Sequence, residues 1–268
     1  MLSNARWLPN VLALALIVGS GFAVAAEPLL HLSTEDFPPY SMAKNGSAEA
    51  QSADQVTGFA AEIVKELLRR ADVSYTLDLI PWTRAYDKAL NIENHGVFST
   101  TRTPAREEMF QWVGPIAQND WVFMAKADSP IVITSIQQAS NYRIGGYLND
   151  AIADYLVSQG LSIEYVPNDA LNVRKLAKSR IDLWPVVKLK GTWLARKESV
   201  PVKPLFTIKR TTLALALNKQ TDLVLVRRLN DTLEAMREDG TVEAITASFL
   251  TDEEHEQVHP ELHGGVHE

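Results

Sequence analysis

The residues best suited to chemistry lie at positions 99–107, where hydroxyl side chains precede two arginines. Ser99 and Thr101 follow an apolar pair, and Arg102 and Arg106 stand four residues apart. Hydroxyls and a forked guanidinium are the groups that bind a carboxylate, because arginine donates two parallel charge-assisted hydrogen bonds. The segment therefore predicts an anion site. The alternative is a surface helix start in which Arg106 pairs with a nearby glutamate.

Other chemical motifs are missing from the sequence. It contains no cysteine, and it lacks the G-x-S-x-G, phosphate-loop and G-x-G-x-x-G patterns. The histidines outside the two ends of the chain, His31 and His95, have no motif partner. The sequence predicts neither a catalytic triad nor a metal centre, and it implies no cofactor.

A strand, a helix and a second strand precede the 99–107 segment and must position it. Residues 29–32 are apolar except for His31, residues 59–70 place apolar side chains on one helical face, and apolar and polar residues alternate over 73–79. This βαβ pattern predicts a parallel sheet. Similar elements follow at 142–146, 162–166 and 181–184, with helices after Asn149-Asp150 and Asn168-Asp169 and a last helix at 223–238. About 240 residues exceed one typical core, so two α/β lobes are expected.

Composition places the chain among soluble globular proteins. It has 268 residues, of which 46% are hydrophobic and 22% charged, and its net charge is −7. That charge argues against a nucleic-acid partner. Residues 1–26 combine Arg6, a short apolar core and small residues at 23–26, which is typical of a cleaved signal peptide and predicts a periplasmic location.

The C-terminal segment 251–268 differs from the rest of the chain. It holds six acidic residues, four histidines and no lysine or arginine. The histidines recur every four residues, but Pro260 and Gly264-Gly265 would break a helix, which favours a disordered tail. Weak capture of zinc, copper or nickel is the alternative.

Several short motifs resemble, in order and spacing, the family 3 extracellular solute-binding proteins, periplasmic receptors associated mostly with amino-acid uptake. The resemblance covers residues 27–250. The motifs are Phe37-Pro38-Pro39-Tyr40, Gly58-Phe59, Thr103–Glu107, Phe110–Pro115, Ile144-Gly145, Arg180–Leu183 and Asp239–Thr241.

The resemblance implies an α/β fold of the type II periplasmic-binding class, a two-lobe clamshell with a hinge of two crossing strands. The expected first lobe comprises residues 27–122 and 213–250, and the second comprises 123–212. The implied function is capture of a small, amino-acid-like carboxylate and its delivery by a monomer to an ABC permease. The alternatives are a sensory receptor for a membrane signalling protein and a dehydratase-like enzyme on the same fold.

The resemblance also implies site residues. Arg106 matches the family's carboxylate-binding arginine, and Ser99 and Thr101 match its polar cradle. Asp150 is either a ligand contact or an ordinary helix N-cap. The remaining candidates for ligand contact are Arg102, Tyr40, Trp82, Asn149 and Trp184.

One position departs from the family pattern. Members that bind α-amino acids usually hold the ammonium with a second-lobe aspartate, and Val187 stands there. Asp150 or an aromatic face could compensate, since a buried ammonium without a partner is costly. The departure predicts that common L-α-amino acids bind weakly and that the ligand is a different carboxylate or amine-bearing metabolite.

Overall fold

The computed structural model describes residues 29–250. The predicted signal peptide and C-terminal tail therefore lie outside the described residues. No helix in this range is long and apolar enough to cross a membrane.

Strands and helices alternate along the chain. The strands are β1 (Leu30–Thr34), β2 (Met42–Ala43), β3 (Val56–Thr57), β4 (Tyr75–Leu79), β5 (His95–Thr101), β6 (Phe110–Lys126), β7 (Ile144–Tyr147), β8 (Ile163–Val166), β9 (Trp184–Val187) and β10 (Val202–Asn218). The helices are α1 (Phe59–Arg70), α2 (Trp82–Asn91), α3 (Ala151–Ser158), α4 (Ala170–Ala177), α5 (Lys188–Lys197), α6 (Leu223–Glu238) and α7 (Thr241–Ala247).

The predicted βαβ unit is confirmed, because β1 pairs in parallel with β4 on one side and with β5 on the other. The main sheet has the order β4-β1-β5-β10-β6-β9, and β7 and β8 form a separate parallel pair. Helix α1 spans the predicted residues and buries its apolar face against the first part of the sheet. It begins after Gly58, whose φ is 112°, and a Cβ there would lie 2.5 Å from the Tyr40 carbonyl oxygen. Only glycine fits that close approach.

Two long strands join the lobes. β6 and β10 pair antiparallel over most of their 17 residues each. One end of β10 pairs with β5, and the opposite end of β6, residues 121–124, pairs with β9. The first lobe holds β1, β4, β5 and helices α1, α2, α6 and α7, and the second holds β7–β9 and α3–α5. The lobe boundaries expected at 122/123 and 212/213 fall inside the two long strands and stay a prediction.

The strand expected at 181–184 lies later in the chain, at Trp184–Val187. Before Trp184, the expected stretch forms only an isolated parallel bridge, between Leu183 and Ile144. The Asp182 carboxylate accepts hydrogen bonds from the backbone and the guanidinium of Arg143 at 3.0 and 2.9 Å. The buried run that follows pairs with β6 and carries the strand instead. As a result, Val187 lies at the end of a strand that reaches the interface between the lobes.

Candidate functional site

A small cavity lies where the two lobes meet, and we call it the inner cavity. Its volume is about 20 Å³, which is the space of about one water molecule. Both lobes contribute polar and aromatic side chains to it. The lining residues are Glu35, Phe37, Trp82, Ser99, Thr101, Arg106, Trp121, Tyr147, Asp150, Ala151, Ile152 and Val187.

Arg106 is the cation of the inner cavity, and only 7% of it is exposed. It follows β5 in a turn closed by its own N–H, which donates to the Thr103 carbonyl at 2.9 Å. Its guanidinium carbon lies 5.6 Å from the ring centre of Trp82 and 5.0 Å from that of Tyr86. The guanidinium donates to carbonyl oxygens, to Thr101 at 3.5 Å and to Asn149 at 3.0 Å. Both acceptors are neutral, so the positive charge can also attract an anion, although the nearby Asp150 carboxyl interacts with it.

Asn149 links the lobes through its backbone. Its φ is 59°, and its carbonyl oxygen accepts from Trp82 Nε1 at 2.9 Å as well as from Arg106. Both donors belong to the first lobe and the acceptor to the second. The two hydrogen bonds therefore hold the lobes together at one rim of the inner cavity.

The hydroxyl residues end β5 beside Arg106. Thr101 Oγ1 accepts from Asn119 Nδ2 at 3.1 Å. Ser99 has a φ of 56°, and its buried hydroxyl, like the buried indole N–H of Trp121, has no hydrogen-bond partner among the described residues. An unmade hydrogen bond of this kind costs about 1–3 kcal/mol. Two donors that line the inner cavity are thus available to a bound anion.

A buried ionic cluster borders the same cavity and was missed by the sequence analysis. Lys190, on α5, is 2% exposed and lies 3.3 Å from Asp169 Oδ2. Its ammonium lies 4.2 Å from the ring centre of Phe37, in the first lobe, and 4.7 Å from that of Tyr147. The Tyr147 hydroxyl donates to Glu35 Oε1 across the lobes at 3.1 Å. In the sequence, the only indication that Glu35 belongs to the site is its position before the di-proline turn. For Lys190 the only indication is its position three residues after Val187.

Two carboxyl groups of the inner cavity have raised pKa values. Burial raises the pKa of Glu35 to about 7, although Lys190 opposes the rise. Burial and the nearby Asp169 raise the pKa of Asp150 to about 6. For Lys190 burial acts downward, but Glu35, Asp169 and Asp150 together raise its pKa above the usual value. The closed cavity thus holds carboxyl groups from both lobes that ionise near neutral pH.

We expect the free energy of unfolding to fall as the pH rises from about 5 to about 8. Glu35 has an ordinary pKa of 4.5 and a folded pKa of about 7, so the folded state binds more protons in this window. The change in pKa corresponds to a loss on the order of 3 kcal/mol. Urea unfolding at several pH values measures it.

Glu35→Gln should reduce this pH dependence and leave the part that Asp150 contributes, whereas Glu93→Gln, at an exposed position, should leave it unchanged. Carboxylates with lowered pKa values, such as Glu66 at about 2, lose their contribution only at lower pH. A wild-type profile that is flat or rises between pH 5 and 8 would contradict the assignment of Glu35.

Asp150 has the N-cap role that was one of its two predicted interpretations. Its Oδ2 accepts from the Ala153 N–H at 3.1 Å at the start of α3, and its carboxyl group also lines the inner cavity. The N-cap expected at Asp169 starts α4, but its carboxylate makes no capping bond. It accepts instead from Trp184 Nε1 at 2.7 Å and from Asn172 at 3.1 Å, because its ion pair with Lys190 orients it toward the interior of the lobe.

Three predicted contact residues are not brought to the inner cavity. Arg102 is exposed, and its Nε donates to Glu107 at 2.7 Å, so the surface pairing considered for Arg106 belongs to Arg102. Tyr40 is buried beside Phe59, with ring centres 4.6 Å apart. Trp184 is fully buried in the second lobe and does not line the inner cavity, and its indole N–H donates to Asp169. Ser99, Thr101, Arg106, Trp82 and Asp150 line the cavity, and Asn149 stands at its rim.

The arrangement suits the binding of a small charged solute. A buried guanidinium, unpartnered donors and aromatic faces can hold a carboxylate, and the carboxyl groups of Glu35 and Asp150 can face a cationic group. Within residues 29–250, no group of three or more His, Asp or Glu side chains is placed to hold a metal ion. The predicted alternative of metal capture concerns the tail, which is outside the described residues.

Comparisons with known proteins agree on one kind of molecule. A family model described as bacterial extracellular solute-binding proteins, family 3, matches residues 30–252. The putative ABC transporter arginine-binding protein 2 of Escherichia coli (strain K12) is 24% identical over 254 residues, which cover 89% of this chain and 97% of that protein.

Solved structures show the same fold. A histidine kinase sensor domain with similarity to periplasmic binding proteins matches with a TM-score of 0.73 and 19% identity, covering 83% of this chain and 96% of the domain. An ancestral arginine-binding protein bound to arginine matches with a TM-score of 0.70 and 17% identity, covering 83% and 98%. These likenesses confirm the predicted two-lobe periplasmic-binding fold.

Proposed function

Since the chain belongs to the bacterial extracellular solute-binding proteins of family 3, we propose that it captures a small, carboxylate-bearing, amino-acid-like solute between its lobes and delivers it to an ABC permease. The single observation that carries the ligand class is Arg106, a buried guanidinium at the lobe interface whose hydrogen bonds go to carbonyl oxygens. A carboxylate is the partner that matches its charge and its fork.

Capture couples to closure because the polar groups come from both lobes. Arg106, Ser99 and Trp82 belong to the first lobe, whereas Asn149 and Asp150 belong to the second. A solute that contacts both sets binds the closed form better than the open form and shifts the population toward it. The lobes must separate to admit the solute, and β6 and β10 are the connections that bend.

The setting of this activity is part of the proposal. We place the protein in the periplasm as a monomer, with a cleaved segment at residues 1–26 and with no catalytic step. Delivery is favoured over sensing because the curated relative is named as an ABC transporter binding protein. The likeness to a kinase sensor domain concerns the fold alone.

Thermal unfolding of the exported chain tests the ligand class. Carboxylates such as acetate, succinate and glutarate are compared with their amides, because the amides keep the shape and lose the charge. A ligand that binds only the folded state adds about 2.7 kcal/mol at one hundred times its Kd. We expect at least one carboxylate to raise the midpoint and its amide not to. Equal shifts for acids and amides would contradict the role of Arg106.

We also expect common L-α-amino acids to bind weakly. Val187 lies at the inner cavity with an apolar side chain, 4% exposed, where the family usually has an aspartate. An ammonium placed there would lack a carboxylate. Calorimetry with the twenty amino acids should give no sub-micromolar Kd. Tight binding of one of them, undiminished in Asp150→Asn, would show that another group replaces the missing aspartate.

A further inference from the structure

A second, much larger opening adjoins the inner cavity, and we call it the groove. Its volume is about 1050 Å³, against about 20 Å³ for the inner cavity. Helix α2 and residues 103–109 line it from the first lobe, and residues 149–158 line it from the second. The two long strands contribute Trp121 and Lys209. The groove is therefore formed by both lobes together.

The groove and the inner cavity share part of their lining. Arg106, Trp121 and Ala151 border both spaces. Arg106 thus presents its charge at the boundary between a small polar space and a large open one. A single molecule can contact Arg106 and extend into the groove.

Three aromatic side chains line the groove. Tyr86, Trp121 and Tyr155 line it, and the ring centres of Trp121 and Tyr155 are 5.9 Å apart. The Lys209 ammonium lies 5.2 Å from the Tyr155 ring centre and 5.9 Å from that of Trp121. Tyr86 and Tyr155 are half-buried and present ring surface to the groove, whereas Trp121 is only 1% exposed. A second ring packs offset or edge-on against such surfaces.

The charged side chains of the groove are of both signs, with the cations in excess. The cations are Arg84, Arg106 and Lys209, and the acids are Asp87 and Asp154. Arg84 lies 3.8 Å from Glu49, and Asp87 accepts from Asn91 at 2.8 Å. Arg106 is the only one of the three cations that also borders the inner cavity, where Ser99 and Trp121 hold unpartnered donors. An acidic group on the ligand is therefore best placed at Arg106.

Size separates the two spaces. The inner cavity holds about one water molecule in the closed form, whereas ligand pockets of proteins usually measure about 300–1,000 Å³. A whole amino acid does not fit the inner cavity, but a ring with a short side chain fits the groove. In this arrangement of the lobes, the space for the larger part of a ligand lies in the groove.

We propose that the groove and the inner cavity form one two-part site and that its ligand is an aromatic carboxylate. The carboxylate binds Arg106, and the ring lies in the groove against Tyr86 and Tyr155. Because both lobes line the groove, the ring stabilises the closed form in addition to the carboxylate. This inference rests on the proposed function and narrows its ligand class.

Calorimetry with acetate, hexanoate, 3-phenylpropionate and 3-phenylpropionamide tests the inference on the exported chain. These probes separate the carboxylate, an apolar chain without a ring, and a ring without the negative charge. We expect 3-phenylpropionate to bind at least tenfold more tightly than each of the other three. Tyr155→Ala and Tyr86→Leu should each weaken it at least fivefold. Tyr165→Ala is the matched control, because Tyr165 is exposed on β8 and does not line the groove.

Each of the other outcomes contradicts the inference, and one of them also contradicts the carboxylate ligand class. If acetate, hexanoate and 3-phenylpropionate bind equally and Arg106→Ala abolishes their binding, the groove has no role and the proposed function stands. If the ring improves binding but neither tyrosine variant weakens it, the ring lies elsewhere and the inference fails. If none of the carboxylates binds, the inference and the carboxylate ligand class fail together.

Discussion

Replacing Arg106 with alanine is expected to weaken the binding of a carboxylate ligand by about 2–5 kcal/mol, the range for truncating one partner of a buried charged pair. The guanidinium is 7% exposed and lies near the rings of Trp82 and Tyr86. In the closed form, water therefore cannot solvate the ligand carboxylate in place of the lost guanidinium. The substitution also removes the hydrogen bond to Asn149 across the lobes. Calorimetry with the best carboxylate from the thermal screen measures the loss.

Arg102→Ala is the matched control for Arg106→Ala. Arg102 precedes Arg106 by four residues, carries the same charge and pairs with Glu107 on the surface. We expect its replacement to change the affinity by less than about 0.5 kcal/mol, as for other exposed pairs. Arg106→Lys should recover only part of the loss, because lysine keeps the charge without the fork. Equal effects of the two alanine substitutions would remove Arg106 from the site.

Lys190→Met is expected to reduce the free energy of unfolding by about 3–5 kcal/mol. The ammonium is 2% exposed and lies 3.3 Å from Asp169, and it faces the rings of Phe37 and Tyr147. Methionine has a similar length, so the main loss is the charge, which leaves the buried Asp169 carboxylate without its cation. Urea unfolding at pH 7 gives the difference.

Two further variants separate the charge from the packing. Lys197→Met, at the exposed end of the same helix, should change the stability by less than about 0.5 kcal/mol. The double variant Lys190→Met/Asp169→Asn removes both charges and should recover part of the loss, since a buried charge without its partner is the costly species. If the double variant is as unstable as the sum of its single variants, the pair is not coupled.

Much of the fold could be predicted because it depends on local patterns. The apolar face of α1, the alternation along β4 and the cap at Asp150 each depend on no more than about a dozen neighbouring residues. The resemblance to a known family supplied the two lobes, and the motif around Arg106 placed that residue at the cavity.

The rest of the candidate site could not be predicted because distant segments create it. Glu35 and Tyr147 are 112 residues apart in the chain, and no local pattern indicates their hydrogen bond. The sequence also does not show whether an aromatic side chain points into the cavity or packs in the core. Tyr40 follows the turn at the family's usual contact position but packs inward on Phe59, and the Trp184 indole turns to Asp169.

The carbonyl oxygen of Asn149 has a consequence for transport. It belongs to the main chain, so no side-chain replacement at this position removes the two bonds that it accepts from Trp82 and Arg106. The two hydrogen bonds favour the shut form whether or not a solute is bound, so we expect a fraction of the empty molecules to be shut. Such empty molecules would compete with loaded ones for a permease that recognises the shut form. Uptake at low solute should then reach a maximum and decline as the receptor is overproduced, rather than rise to a plateau.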